Sequence, residues 1–226
     1  MGTAFPAPPR DEAELMMRAT ALAGRTLGYV AGQHVVAIPR DLRRAKGWPG
    51  QLLEIALGAT ASSRPIPDFP HLGIELKSLP VSARGRPVES TYVCTAPLSP
   101  DALGRWEDSW VRHKLARVLW IPLLGDGSPA ERVVGTPVIW SPTEEEEALL
   151  RADWEAIASL VAMGELWQLR SQRGKALQVR PKGASRESTT WALDDGAQWV
   201  QDMARGFYLR PSFTGAILAR ELLLPE

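Results

Sequence analysis

Apolar residues recur at helical spacing soon after the chain begins: Leu15, Met16, Ala19 and Leu22 fall on one face of a segment from Asp11 to Ala23, the period an α-helix needs to bury one stripe. Residues 1–10, with three prolines, precede it as a flexible N-terminus. A second helix is predicted from Trp48 to Leu57, with Pro49 in its first turn, Leu52, Leu53, Ile55 and Leu57 apolar, and Gly58 as its stop. Between Leu72 and Val81 the period changes to two, with Ile74 and Leu76 set against Glu75 and Lys77, which is the pattern of a half-buried strand. Another strand reads from Ser90 to Ala96. The turn-forming link Ser82-Ala83-Arg84-Gly85-Arg86-Pro87 between them suggests an antiparallel pair. A short helix over Trp106–Leu115, a buried strand over Val118–Leu123 and a strand over Val133–Trp140 bring the sheet to about four members.

The longest helix opens at Ser141-Pro142-Thr143-Glu144-Glu145-Glu146, where Thr143 and Glu146 have the spacing of a capping box and the acids sit in the positive first turn. Leu149, Leu150, Trp154, Ile157, Leu160 and Val161 form its apolar face, so the glutamate run is read as helix initiation and not as a metal site. Lys175 to Arg180 alternates again, and Ser212 to Leu222 makes a terminal helix with Ile217 and Leu218 inward. Helices interleaved with strands indicate a mixed α/β chain.

Composition narrows the chemistry. One cysteine, Cys94, excludes an internal disulfide and a cysteine-rich zinc site, and in an apolar strand it reads as a core residue. His34, His71 and His113 have no zinc-site spacing. The chain opens without a basic stretch leading into an apolar run, and no segment approaches about 18 apolar residues; the expectation is a cytoplasmic protein with no membrane association. With 26 basic and 26 acidic residues the net charge is zero, which argues mildly against a nucleic-acid coat protein. Distribution matters more. Arg170, Arg173, Lys175, Arg180, Lys182 and Arg186 follow Leu166 with no acid among them, a stretch that either faces phosphates or forms a solvated hairpin balanced by neighbouring acids.

The informative stretch is Pro67-Asp68-Phe69-Pro70-His71-Leu72-Gly73-Ile74-Glu75-Leu76-Lys77. Residues two apart on a strand share a face about 7 Å apart, so Glu75 and Lys77 project together while Asp68 can fold back beside Glu75. Paired carboxylates repel unless a cation neutralises them, and such a set suits Mg²⁺, which keeps waters and binds substrate phosphate. An ammonium beside it can hold or deprotonate a water and offset charge on a phosphorane. Those are the parts of phosphodiester hydrolysis, although acid-x-base triplets are also common as ion pairs on strands. Glu54 is an acid in an otherwise apolar helix and needs a metal or a basic partner.

Lys46-Gly47-Trp48, Leu52-Leu53-Glu54-Ile55, Leu57-Gly58, Asp68-Phe69 and Leu72-Gly73-Ile74-Glu75-Leu76-Lys77 together resemble the catalytic region of the MutH family, within the PD-(D/E)xK nucleases. Gly85-Arg86-Pro87, Val111-Arg112-His113-Lys114-Leu115, Arg117-Val118-Leu119-Trp120-Ile121-Pro122, Trp140-Ser141-Pro142, Arg180-Pro181-Lys182 and Arg205-Gly206-Phe207-Tyr208-Leu209 continue the resemblance in order, from about residue 20 to about 222. It implies a restriction-endonuclease-like fold over residues 11–226, a mixed sheet flanked by helices, with two lobes around a DNA cleft. The catalytic lobe includes about 45–125, and the second lobe holds the C-terminal recognition segments. It further implies a monomeric mismatch-repair endonuclease that is activated by MutL, uses Mg²⁺ (with Mn²⁺ able to substitute) and nicks the unmethylated strand of double-stranded DNA at hemimethylated GATC. By position, Asp68 and Glu75 fall on metal-binding acids, Lys77 on the catalytic lysine, Glu54 and Lys114 on further active-site residues, and Lys46, Arg180 and Tyr208 on DNA-touching segments. Departures lie between Gly183 and Ala204, around Trp191 and Trp199, and at Arg210-Pro211. Two alternatives remain, a standalone GATC restriction enzyme cutting both strands and a DNA-binding module without catalysis.

Overall fold

A computed structural model of the chain describes residues 6–41, 45–62, 64, 66–169, 174–182, 189–193, 196 and 198–223. Arg170, Arg173 and Arg186 of the basic stretch lie outside these residues. The chain divides into two compact units, one of Met1–Glu89, Ala116–Ser141 and Gly215–Glu226, the other of Ser90–Leu115 and Pro142–Thr214.

The first unit starts with α1 (Glu12–Leu22), capped by the Asp11 side chain on the Glu14 amide. α2 (Leu27–His34) follows, capped by Thr26, and then α3 (Trp48–Leu57). Periodicity alone assigned no element to 27–34; Thr26 ahead of an apolar run was the available signal. Residues 6–10 run along this unit, with the Ala7 carbonyl accepting from Arg18 Nη1 at 2.6 Å and the Pro9 carbonyl 2.6 Å from His71 Nε2.

The sheet of this unit contains β1 (Glu75–Val81), β3 (Val118–Leu124), β4 (Val133–Val134) and β5 (Val138–Trp140). β1 runs parallel to β3, and β4 and β5 each pair antiparallel to β3, so the sheet is mixed. This corrects the expected pairing of 72–81 with 90–96. The Ser82–Pro87 link does turn, with Ser82 N–H donating to the Arg86 carbonyl and Val88 N–H to the Pro80 carbonyl. From Ser90 to Leu115, however, the chain belongs to the other unit, beginning with β2 (Thr91–Ala96). β3 is buried at every position but its last, and only a central place covers such a strand on both faces, so it takes the flank of β1. The predicted strand 133–140 is two strands, interrupted where Gly135 N–H turns to the Pro122 carbonyl. One face of the sheet, through Leu76, Leu119, Ile121 and Leu123, forms the main core with Leu15, Leu27, Leu52 and Leu53 of the helices. Glu75, Lys77, Val118, Trp120 and Trp140 are in register on the other face.

The second unit holds β2, α4 (Pro100–Leu103), α5 (Trp110–Leu115), α6 (Glu144–Ala162), β6 (Leu177–Pro181), β7 (Thr189–Leu193), β8 (Trp199–Met203) and β9 (Arg205–Leu209). The helix expected over 106–115 is a 3₁₀ turn at Trp106–Asp108 followed by α5, because Ser109 starts a new helix by accepting the Arg112 amide on its Oγ. α6 begins with the predicted capping box, both bonds between Thr143 and Glu146 being present. β2, β9 and β6 form an antiparallel sheet in that order, and β7 and β8 form a separate hairpin. α7 (Pro211–Leu222) closes the chain, with Ile217 and Leu218 buried as expected.

Electrostatic ties brace α1. Glu14 accepts from Arg10 and Arg18, which hold its carboxyl at about 2 against a usual 4.5. A carboxyl lowered in the folded state contributes stability that is complete above its unfolded value and is lost as pH falls from 4.5 towards 2. Glu14→Gln should therefore flatten the fall of the thermal midpoint across that window relative to wild type, read by circular dichroism melts; parallel curves would contradict the assignment.

Candidate functional site

Asp68 precedes a tight loop closed by the Phe69 and Ile74 backbones, each donating to the other's carbonyl. The loop returns the chain so that Leu76 N–H donates to Asp68 Oδ2 at 2.8 Å. The Asp68 carboxylate, 9% exposed, is thereby fixed between Glu75 and Lys77 along the strand. Its own carbonyl accepts from Thr60 and Ala61, anchoring the loop to the segment after α3. Glu75 is 3% exposed, and Lys77 Nζ donates to its Oε1 at 2.7 Å. A carboxylate this deep costs several kcal/mol unless paired, so Lys77 is part of what permits it.

Glu54 lies on α3. A side chain built at Gly50 would meet Ser78 Oγ at 3.9 Å and Glu54 Oε1 at 4.0 Å, so the Glu54 carboxylate lies where the helix passes β1. The head of β1 is fixed from the other flank by Glu75 N–H donating to the Arg117 carbonyl. Arg117 is itself gripped by Glu12 through two bonds of 2.6 Å, and this partner lowers the Glu12 carboxyl and raises the Arg117 guanidinium. In register with Lys77, Trp120 is fully buried and meets Trp140 with ring centroids 6.0 Å apart and planes tilted by 57°, an apolar floor beside the charged group.

Asp68, Glu75 and Lys77 are thus brought together within the first unit, while Glu54 lies on α3 of the same unit, on the side of Ser78, and Lys46 is exposed in the turn before α3. Lys114 lies on α5 of the second unit. Among the described residues no three His, Cys, Asp or Glu side chains group closely enough to hold a metal by themselves. Two buried carboxylates on one strand entrance fit a hard cation such as Mg²⁺, which takes few protein ligands and keeps its waters.

In the second unit, Arg180 and Tyr208 share a sheet face. β6 pairs with β9 so that Gln178 opposes Tyr208 and Arg180 opposes Gly206, while Leu177, Val179, Phe207 and Leu209 are buried on the reverse. Arg180 stands over the Tyr208 ring at 5.8 Å, and Lys182 over Tyr92 at 5.5 Å. The two tyrosines meet edge to face at 5.3 Å. Burial first, then Tyr92, raises the Tyr208 hydroxyl, with Arg180 opposing. Gln178 and Arg180 both donate to Ser90 Oγ, and Lys182 donates to Thr95 Oγ1. Sequence reasoning missed Tyr92, Ser90 and Thr95 as members of this face. A bulge between Tyr92 and Cys94 shifts the register there, and neither it nor a pairing of residues more than a hundred apart is visible in local periodicity.

Fold and site together define a mixed α/β protein of the restriction-endonuclease-like class. The family model described as "DNA mismatch repair enzyme MutH" matches residues 57–153, the interval carrying Asp68, Glu75, Lys77 and Lys114. The DNA mismatch repair protein MutH of Yersinia enterocolitica is 50% identical over 221 residues, 97% of each chain. The proteins of the same name from Yersinia pseudotuberculosis and Yersinia pestis are 49% identical over the same share. The chain belongs to the MutH family of DNA mismatch repair enzymes.

Among the described residues no helix is long and apolar enough to cross a membrane.

A Cβ added at Gly206 would lie 2.8 Å from Tyr92 Cε2 and 3.1 Å from Tyr208 Cε2. Gly206→Ala should cost about 1–3 kcal/mol by forcing the rings apart. In urea melts, Tyr92→Ala should relieve most of that cost, and strict additivity of the two substitutions would contradict this packing.

Proposed function

We propose that the protein nicks the unmethylated strand of duplex DNA at hemimethylated GATC, by hydrolysis dependent on Mg²⁺ (or Mn²⁺) at the head of β1 and activated by MutL. The observation that carries this reading is the union of Asp68, Glu75 and Lys77 on one strand entrance, with Asp68 locked by the Leu76 amide and Glu75 paired to Lys77. Asp68 and Glu75 would hold the cation, with Glu54 assisting from α3. When bound, the cation supplies Lewis-acid polarisation of the phosphate and a more acidic water.

The chain's own residues do the rest. Lys77 Nζ, held beside Glu75, orients the attacking water and donates to the phosphate oxygens on which negative charge gathers. The water oxygen bonds to phosphorus as the bond to the leaving sugar oxygen breaks. The buried Trp120 and Trp140 floor limits water on that side, so this donor acts in a low dielectric. Lys114 is assigned an assisting role from α5, and Lys46 a contact with DNA.

Arg180 and Tyr208 are assigned to reading the base edges. Arg180 can donate to a base or phosphate, and the Tyr208 ring and neutral hydroxyl can sense the bulk of an N6-methyl group in the major groove. Zero net charge gives a weak sequence-independent hold on DNA. A partner that raises local concentration, the role given to MutL, compensates for this. The protein is taken to act as a monomer in the cytoplasm.

A nicking assay on a hemimethylated GATC duplex, with and without Mg²⁺ and MutL, tests the reading. Double-strand cleavage of unmethylated plasmid without MutL would instead favour the standalone restriction enzyme. Lys77→Ala should keep duplex affinity yet lose on the order of 100-fold or more in single-turnover nicking, and recovery of the wild-type rate at saturating enzyme would reduce Lys77 to a binding residue. Lys114→Ala should show a smaller loss of the same kind. Arg180→Ala and Tyr208→Ala should change the ratio of nicking rates on hemimethylated and fully methylated duplexes; equal ratios would place methylation sensing elsewhere.

A further inference from the structure

On the apolar face of α6, between Leu150 and Ile157, stands an acid that the site description does not use. Asp153 is 8% exposed. Its carboxylate is wrapped by the backbone. Oδ2 accepts from Lys175 N–H at 2.8 Å, Ala176 N–H at 2.7 Å and Leu177 N–H at 2.8 Å, and Oδ1 accepts from Lys175 N–H at 3.0 Å. Successive amides turned on one point form an anion cradle, and here the anion is the protein's own side chain. Gly174, at φ +83°, makes the turn possible: any Cβ there would run into the Leu177 carbonyl and come within 3.1 Å of Asp153 Cγ.

The cradle sits at the start of the strand pair that carries Arg180 and Tyr208. Leu177, the last amide in it, is paired with Leu209, and the next residue, Gln178, opposes Tyr208. Arg210, immediately after β9, closes the same turn from the other strand. Its N–H donates to the Ala176 carbonyl at 2.8 Å, and its Nε donates to the Gly174 carbonyl at 2.8 Å. One carboxylate on the longest helix therefore fixes where β6 begins, and through Arg210 where β9 ends. Strand alternation makes that start decisive, because a slip of one residue would send Gln178 and Arg180 to the buried face and Leu177 and Val179 outward.

We propose that Asp153 is a positioning residue for DNA recognition: by capping the amides of 175–177 it sets the register that holds Arg180 over Tyr208. This rests on the reading of the β6–β9 face as the surface that meets the base edges. Asp153 touches no substrate; it acts through the strand.

The experiment measures equilibrium affinity for a GATC duplex and for one with a single base pair of GATC exchanged. It is done in the Lys77→Ala background so that the duplex stays intact, and amide hydrogen exchange and thermal midpoint are recorded on each variant. Asp153→Ala and Gly174→Ala should lose exchange protection across Lys175–Arg180 and lower the affinity ratio by about fivefold or more, approaching Arg180→Ala. Asp153→Asn, which can keep one oxygen at the three-amide position, should lie between them and the parent. A merely structural aspartate would lower the thermal midpoint and leave the ratio of the folded protein unchanged, so that result overturns the proposal. If Asp153→Ala does not fold, Gly174→Ala and Asp153→Asn decide it on the same ratio. Should Arg180→Ala itself leave the ratio unchanged, the reading of this face fails and the proposal with it; should Arg180→Ala lower the ratio while the Asp153 and Gly174 variants do not, the proposal alone fails.

Discussion

The bond from the Leu76 amide to Asp68 Oδ2 is the constraint on which the proposed reaction site depends. Without it, the loop after Asp68 would have no reason to return its carboxylate to the strand, and two acids seven residues apart would have no fixed relation. With it, Asp68 sits beside a strand whose next outward residues are Glu75 and Lys77, and whose position is held by the Arg117 carbonyl on one side and by α3 on the other. A buried acid pair is unfavourable alone. Lys77 offsets one charge, and the remainder is what makes the place suitable for a cation.

The second unit uses the same device for a different end. There too a buried aspartate accepts from the main chain near the start of a strand, from Ala176 and Leu177 where Asp68 accepts from Leu76, and there too the outward side chains are those proposed for function. Glu75 and Lys77 in the first unit and Arg180 and Tyr208 in the second lie on strands, where packing on the reverse face limits their movement, and a carboxylate near each strand's start holds its backbone.

Much of this was legible in the sequence because it is local. The alternation of Ile74, Glu75, Leu76 and Lys77 gave β1 and the shared face of the acid and lysine, and Thr143 with Glu146 gave the start of α6. What was not legible was long-range pairing. The turn at Ser82–Pro87 favoured a hairpin between 72–81 and 90–96, yet β3, buried at all but its last position, competes for the flank of β1 and wins, because it must be covered on both faces. The same limitation hid Tyr92, which reaches the Arg180–Tyr208 face only through a bulge and a partner strand at the far end of the chain. Asp153 was not singled out from the sequence, because its role lies in amides more than twenty residues away, which no spacing rule reports. For the reaction site, spacing supplied the candidate and family membership supplied its weight.

The central claim, that the head of β1 is the cation site, is tested most directly by paramagnetic broadening. Mn²⁺ added in substoichiometric amounts to isotopically labelled protein in the presence of duplex DNA should broaden the amide resonances of Phe69, Glu75, Leu76 and Lys77 first. Asp68→Asn should abolish that selective effect while leaving the remainder of the spectrum in place. Broadening centred elsewhere, or unchanged in Asp68→Asn, would contradict the account.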